Sequence, residues 1–288
     1  MKKLLFQIDT DAVPNTFDTV VAYDGGADHV VRVGGARPAD LPRLVDGAVF
    51  TRAPANKKFT ALFVTGSNVA DGEALFDAIR ERFFGNFRVS MMLDSNGANT
   101  TAAAAVAHVC RHLDPVGKRA VILAGTGPVG QRAAVLLARL GASVLVTSRD
   151  HKRAAAACAA MEQRFGVKLE AAAASDAAGT SACIAGAHLV VSTGAAGVRL
   201  LAEEQWAAHP TLELVMDANA TPPAGIGGIE MADRGVTRHG KVCYGALGFG
   251  GLKLELQRSC VGRLFESNTQ LMDAPEIFAL AQEMVKSR

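Results

Sequence analysis

The segment AVILAGTGPVGQRAAVLLARLG, beginning at Ala120, sets three glycines at GxGxxG spacing between an apolar run and an amphipathic one. A strand that turns into a helix through such glycines cradles a pyrophosphate. Gly125 permits the tight turn, Gly127 lets the backbone approach the phosphates, and Gly130 lets the helix pack closely on the strand. Thr126, Pro128 and Val129 complete the turn, and the helix that follows offers N–H groups and the positive end of its dipole. About twenty residues further on, such a fold brings a second strand end to the adenosine ribose, where an acid selects NAD. Here that strand ends in VTSRDHKR, residues 146–153, with Ser148 and Arg149 at the critical place. A guanidinium fork can grip a 2′-phosphate and a serine can donate a further hydrogen bond. Lys152 and Arg153, one helical turn on, add positive charge. The cofactor predicted is NADP.

In open α/β sheets, ligands bind beyond the carboxyl ends of the strands. The polar turns that follow strand-like runs are therefore candidate contacts: DTD (9–11), DSNGANTT (94–101), STGAAG (192–197) and DANATPPAGIGG (217–228). In the first two, Asp9, Asp11, Asp94, Asn96 and Asn99 are expected to face substrate. In the last two, Thr193, Gly194 and Asn219 are expected to face the cofactor. Asp18 and Asp24 add negative charge near the N-terminus. Other chemistries fit poorly. His108 and His112 have i, i+4 spacing but no HExxH glutamate or evident third ligand, so no metal is expected. Asp9-Thr10-Asp11 is too short for a calcium loop, and no GxSxG elbow supports a nucleophilic serine.

The elements that must position these residues alternate between strand-like and helical patterns, which argues for parallel βαβ construction. KLLFQID (3–9), GAVFTR (47–52), FTALFVTG (59–66) and FRVSMMLD (87–94) read as strands. Val69, Leu75, Ile79 and Phe83 mark a helix between the last two. An alanine-rich helix then runs towards Asp114-Pro115, where the junction is placed. Beyond it, 143–148, 168–174, 188–194, 212–219 and 241–247 read as further strands. Gly141 stands where a helix C-cap belongs. The alanine-rich stretch 154–187 reads as ordered helices, and the tail as two more. The expectation is two α/β domains: an N-terminal substrate domain, 1–113, joined by C-terminal helices 266–288, and a Rossmann-type NADP domain, 114–265.

Composition bounds the partners. A net charge of +2, with cations spread along the chain, argues against nucleic acid. Five cysteines without CxxC pairing suggest reduced thiols and a cytoplasmic protein. The start, MKKLLFQIDT, reads as a strand rather than a signal peptide. No apolar run reaches the roughly 18–20 residues that a membrane span needs. Apolar faces on the first-domain helices suggest a homo-oligomer.

Long, unusual segments then carry a resemblance: FQIDTDAVPNTFDTVVAYDGGADH, RFFGNFRVSMMLDSNGANTTAAA, LAGTGPVGQR, NATPPAGIGGIE and YGALGFGGLKLELQRSCVGRLFES. Over nearly its whole length the chain resembles the NADP-dependent methylene-tetrahydromethanopterin dehydrogenases of methylotrophic bacteria. The resemblance implies oxidation of a methylene group bridging two nitrogens of a reduced pterin, tetrahydromethanopterin and in some members tetrahydrofolate, to the methenyl cation. It also implies kinship with folate-linked methylene dehydrogenases, whose pterin lies in a cleft between two α/β domains. It places Lys253 of GGLKL at the active site, while Glu255 departs from the second lysine of related chains. Phe17, in the first segment, joins the expected substrate contacts, and Asp18 is expected to stabilise the developing cation electrostatically. Two other readings compete: a shikimate-type NADP dehydrogenase, which needs a Lys–Asp pair and would draw on Lys57 or Lys58, and a non-catalytic NADP(H)-sensing protein.

Overall fold

The computed structural model describes residues 1–286. The strands in chain order are β1 (Leu4–Asp9), β2 (His29–Val33), β3 (Thr60–Thr65), β4 (Ser90–Leu93), β5 (Arg119–Leu123), β6 (Ser143–Ser148), β7 (Glu170–Ala173), β8 (Leu189–Ser192), β9 (Leu214–Asp217), β10 (Arg234–Arg238), β11 (Lys241–Tyr244) and β12 (Leu271–Met272). Between them run helices α1 (Thr16–Asp24), α2 (Leu41–Phe50), α3 (Val69–Glu81), α4 (Ala98–Val109), α5 (Pro128–Arg139), α6 (His151–Phe165), α7 (Ala177–Ile184), α8 (Glu203–Trp206), α9 (Ala246–Arg263) and α10 (Ala274–Lys286). The chain divides into two compact units: Met1–Thr100 with Leu254–Met284, and Thr101–Lys253 with a short piece from Val285. The divisions fall inside α4 and α9, each of which continues unbroken past the division.

The first unit holds a five-stranded sheet in the order β12-β4-β3-β1-β2, parallel throughout. Its central strand, TALFVT, is buried at every position, as a parallel strand covered on both faces must be. Helix α3 starts at Asn68, whose side chain accepts the Ala70 and Asp71 N–H groups, and buries Leu75, Phe76 and Ile79 in the core. Two expectations fail here. The stretch GAVFTR is not a strand: its apolar residues belong to α2, where Leu41, Val45, Ala48 and Val49 are buried at helical spacing. The missing strand is HVVRV, β2, an edge strand whose alternation is masked by exposed His29, Val31 and Arg32. The two-residue β12, pairing with Met91 and Met92 of β4, is too short to leave any periodic signal.

The second unit holds seven strands in the order β10-β11-β9-β8-β5-β6-β7, parallel except for the β10–β11 pair. Counted from β5, this is the doubly wound dinucleotide-fold order, which reverses direction between β5 and β8. Val121, Leu123, Val190, Val215 and Trp206 build its core. Helix α5 ends at Arg139, and Gly141 supplies the left-handed residue just beyond it, at φ +89°. All five cysteines are free, and burial pushes the Cys110 and Cys243 thiols up to about 11. No described helix is long and apolar enough to cross a membrane.

Trp206 is the chain's one tryptophan, fully buried, and its Nε1–H donates to Gly227 O at 2.8 Å. Trp206→Ala removes both the packing and the bond, and is expected to cost about 3–5 kcal/mol. Urea unfolding followed by far-UV circular dichroism measures it; a loss below about 1 kcal/mol would show that the site collapses around the smaller side chain.

Candidate functional site

Strand β5 ends at Leu123 and turns at Ala124, which adopts φ +50°. The neighbouring strands brace this turn from both sides. Thr147 of β6 accepts the Ala124 N–H on Oγ1 at 3.1 Å and the Gly125 N–H on its carbonyl at 2.9 Å. Past β8, Thr193 donates its N–H to Leu123 O at 3.0 Å, and its hydroxyl lies 3.3 Å from the same oxygen. A Cβ on Gly125 would lie 2.8 Å from Ile122 Cγ2, and one on Gly130 would lie 2.6 Å from Gly125 Cα and 2.5 Å from Thr193 Oγ1. Both positions must be glycine for the helix to begin where it does. Gly127 differs: nothing lies within 4 Å of where its Cβ would be. No protein atom demands glycine there, so the freedom serves whatever approaches from outside. Gly127 also N-caps α5 without any side-chain cap, leaving the helix N-terminus to an external anion.

This turn forms the floor of a cleft of about 380 Å³. Thr126, Gly127, Ser148, Arg149, Arg153, Thr193 and Gly194 line it, which brings together residues from three separate stretches predicted to bind the cofactor. Gly125, Pro128, Val129 and Gly130 build the turn and the first turn of α5 without lining the cleft. Lys152 is exposed and lies outside the lining. The acid beside the arginine, Asp150, is directed elsewhere: it N-caps α6, accepting the Lys152 N–H at 2.8 Å. The strand end therefore presents a hydroxyl and two guanidinium groups. These donors and the uncapped helix suit a dinucleotide that carries a further phosphate on its ribose.

Sequence reasoning missed the far wall of the cleft, Val198 and Leu200, and also Ala174 and Thr180. The wall is held from β9. Asp217, buried at the end of that strand, accepts N–H groups from Gly225 at 2.7 Å, Ile226 at 3.3 Å and Asn219 at 3.2 Å. Gly225 O in turn accepts from Leu200 at 2.8 Å and Leu201 at 3.1 Å. Burial pushes the Asp217 carboxyl above its usual range, against the pull of these donors. Asn219 is not in the lining: its amide donates to Pro223 O at 3.2 Å and its Oδ1 accepts the Thr221 N–H at 3.0 Å, both within its own loop. A carbonyl-rich loop stitched by one carboxylate has no recognisable sequence motif beyond its glycines.

In the first unit, most of the polar side chains expected to meet substrate hold loops at the carboxyl ends of β1, β3 and β4. Asp9 is fully buried and accepts from Asp11 N at 2.8 Å, Asn15 N at 3.0 Å and Thr65 Oγ1 at 2.8 Å. Asp11 accepts both the N–H and the hydroxyl of Ser67, each at 2.9 Å. Asp94 accepts the Thr100 hydroxyl at 2.6 Å and its N–H at 3.0 Å. Asn99 donates to Leu93 O at 2.7 Å and to Asp273 Oδ1 at 3.0 Å. Asn96 sits at φ +55° and donates its N–H to Gly66 O at 2.7 Å. On α1, Phe17 is 48% exposed, whereas its neighbour Asp18 is buried and accepts from Gln257 Nε2 at 2.9 Å. Lys253 is half-buried on α9.

Residues 16–96 match the family model described as methylene-tetrahydromethanopterin dehydrogenase, N-terminal. The chain is 50% identical over 285 residues to the bifunctional protein MdtA of Methylorubrum extorquens, covering 98% of this chain and 99% of that one. It is 32% identical over 278 residues to the NAD(P)-dependent methylenetetrahydromethanopterin dehydrogenase of the same organism, covering 93% of this chain and 94% of that one. Among solved structures, the shikimate 5-dehydrogenase of Listeria monocytogenes in complex with shikimate and NAD has the same fold, with a TM-score of 0.50 and 15% identity over 97% of this chain and 96% of that one. Similarity to both bacterial relatives along almost the whole chain, with the N-terminal family match, shows that this protein belongs to the methylene-tetrahydromethanopterin dehydrogenase family.

Proposed function

We propose that this enzyme transfers a hydride reversibly between the methylene carbon of methylene-tetrahydromethanopterin and NADP, giving the methenyl derivative and NADPH in one-carbon oxidation. Methylene-tetrahydrofolate is a second candidate substrate. The observation that carries the reading is the cleft of the second unit, lined by the glycine turn, Ser148, Arg149 and Arg153, in a chain whose relative, matched over 94% of its length, is named for this reaction. The nicotinamide, when bound, supplies the hydride acceptor. The first unit would take the pterin and the second the dinucleotide. Ser148, Arg149 and Arg153 would hold the 2′-phosphate, and the N-terminus of α5 the pyrophosphate.

The chemistry asks little proton transfer of the protein. A nitrogen lone pair pushes into the bridging carbon as hydride leaves, so no proton need be removed in that step. Positioning then supplies much of the rate enhancement. The exposed Phe17 ring offers a flat face to a pterin. The Asp18 carboxylate would stabilise the developing cation, and Lys253 would orient the pterin. A shikimate-type mechanism is less well supported. Lys57 lies in the short 3-10 segment Pro54–Phe59 that leads into β3, and its buried ammonium stands 4.2 Å over the Phe87 ring with no hydrogen-bond partner among the described residues. The free thiols support a cytoplasmic location, and the exposed Val13, Val20 and Tyr23 around α1 support a homo-oligomer.

Arg149→Ala is expected to raise the Michaelis constant for NADP roughly tenfold, the effect of losing one charge-assisted phosphate contact, and to leave that for NAD within about twofold. Equal effects on both cofactors would remove Arg149 from the phosphate site. Lys253→Ala should lower turnover with methylene-tetrahydromethanopterin, read as NADPH absorbance, while NADP affinity stays nearly constant. Unchanged turnover would remove Lys253 from the active site.

A further inference from the structure

Helix α1 is unusual in what it buries. Its inward face carries Asp18 together with Val21 and Ala22, while Phe17, Val20 and Tyr23 face outward. A carboxylate turned into a protein interior is tolerated only when hydrogen bonds replace the lost water. Within the first unit the replacement comes from the C-terminal part of α9. Gln257, itself fully buried, donates its amide to Asp18 Oδ1 at 2.9 Å. The next residue, Arg258, reaches the surface instead and pairs with Asp24 at 2.7 Å, both groups being about two-fifths exposed. The helices meet closely at Gly25, where a Cβ would fall 2.6 Å from Val261 Cβ and 2.8 Å from Arg258 O. Of these two neighbours on α9, Arg258 takes the exposed acid, and the Gln257 amide donates to the buried one.

That allocation has a chemical meaning. An arginine at 257 would also hydrogen-bond the carboxylate, but it would bring a positive charge beside the very group that is to favour a cation. An amide fixes the carboxylate oxygen in space and adds no charge of its own. We propose that Gln257 is a positioning residue for the reaction, holding the Asp18 carboxylate in the orientation from which it stabilises the methenyl cation. The inference rests on the reading of Asp18 given above.

The test compares turnover and Michaelis constants of the full-length enzyme carrying Gln257→Met, Asp18→Asn, both together, or Arg258→Ala. Methionine keeps the volume of glutamine and loses the donor. Gln257→Asn, which withdraws the amide by one methylene, serves if the methionine variant is insoluble. Gln257→Met is expected to lower kcat about tenfold, with the Michaelis constant for NADP within about twofold of the parent. In the Asp18→Asn background it should cause no further loss, since the two residues then act as one unit. Arg258→Ala cuts the other tie between the helices and should leave kcat unchanged. An undiminished kcat in Gln257→Met while Asp18→Asn is impaired would overturn the role of Gln257 alone. Additive losses in the double variant, or a loss in Arg258→Ala equal to that in Gln257→Met, would reduce it to a general structural tie. An unimpaired Asp18→Asn would instead overturn the reading of Asp18, and the inference with it.

Discussion

The approach of Gly130 to Gly125 across one turn is the contact from which the cofactor unit follows. With less than 3 Å available where either Cβ would stand, α5 can begin directly above the end of β5 only if both residues lack side chains. That placement aims the uncapped helix N-terminus into the cleft, at the point where the strand order reverses between β5 and β8. Thr147 of β6 and Thr193, the residue just past β8, tie the turn to the sheet by hydrogen bonds. Electrostatic recognition of a phosphate depends on such preorganisation, because donors that must first be ordered lose affinity to the entropy of ordering them.

The cofactor unit was legible in the sequence because its signals are local. A buried parallel strand, a glycine turn and an amphipathic helix each leave a pattern within a few residues, and the strand end at Ser148 and Arg149 follows at a fixed distance. The first unit was harder to read. The edge strand β2 alternates too weakly, GAVF looks β-branched and apolar although it finishes a helix, and β12 depends on a partner far away in sequence. Site residues divide in the same way. Arg149 was expected in the cleft from its distance to a motif, and Thr193 from its place in a polar turn after a strand; both line it. Val198 and Leu200 were not expected there, because their place depends on a hydrogen-bond chain through Gly225 to Asp217 that no short pattern encodes.

The acidic residues of the first unit make a related point. Asp9, Asp11 and Asp94 stand at strand ends, where substrate contacts are expected, yet their oxygens accept N–H and O–H groups from the chain. Asn99 works the same way from its amide. A loop that leaves a buried parallel strand has backbone donors that water cannot reach, and a short carboxylate is an efficient acceptor for them. Position at a strand end therefore selects for acids twice, once for architecture and once for ligand, and sequence alone does not separate the two. Their burial and hydrogen bonds show the architectural duty.

Asp150 separates two duties that could have been combined. Its carboxylate secures the first turn of α6 through the Lys152 N–H, while the neighbouring Arg149 faces the cleft. Helix capping and the charge in the cleft are thus assigned to adjacent residues with independent side-chain directions. A substitution at residue 149 therefore leaves the cap of the following helix in place. The charge lining the cleft can thus change at one position while the helix beside it keeps its first turn.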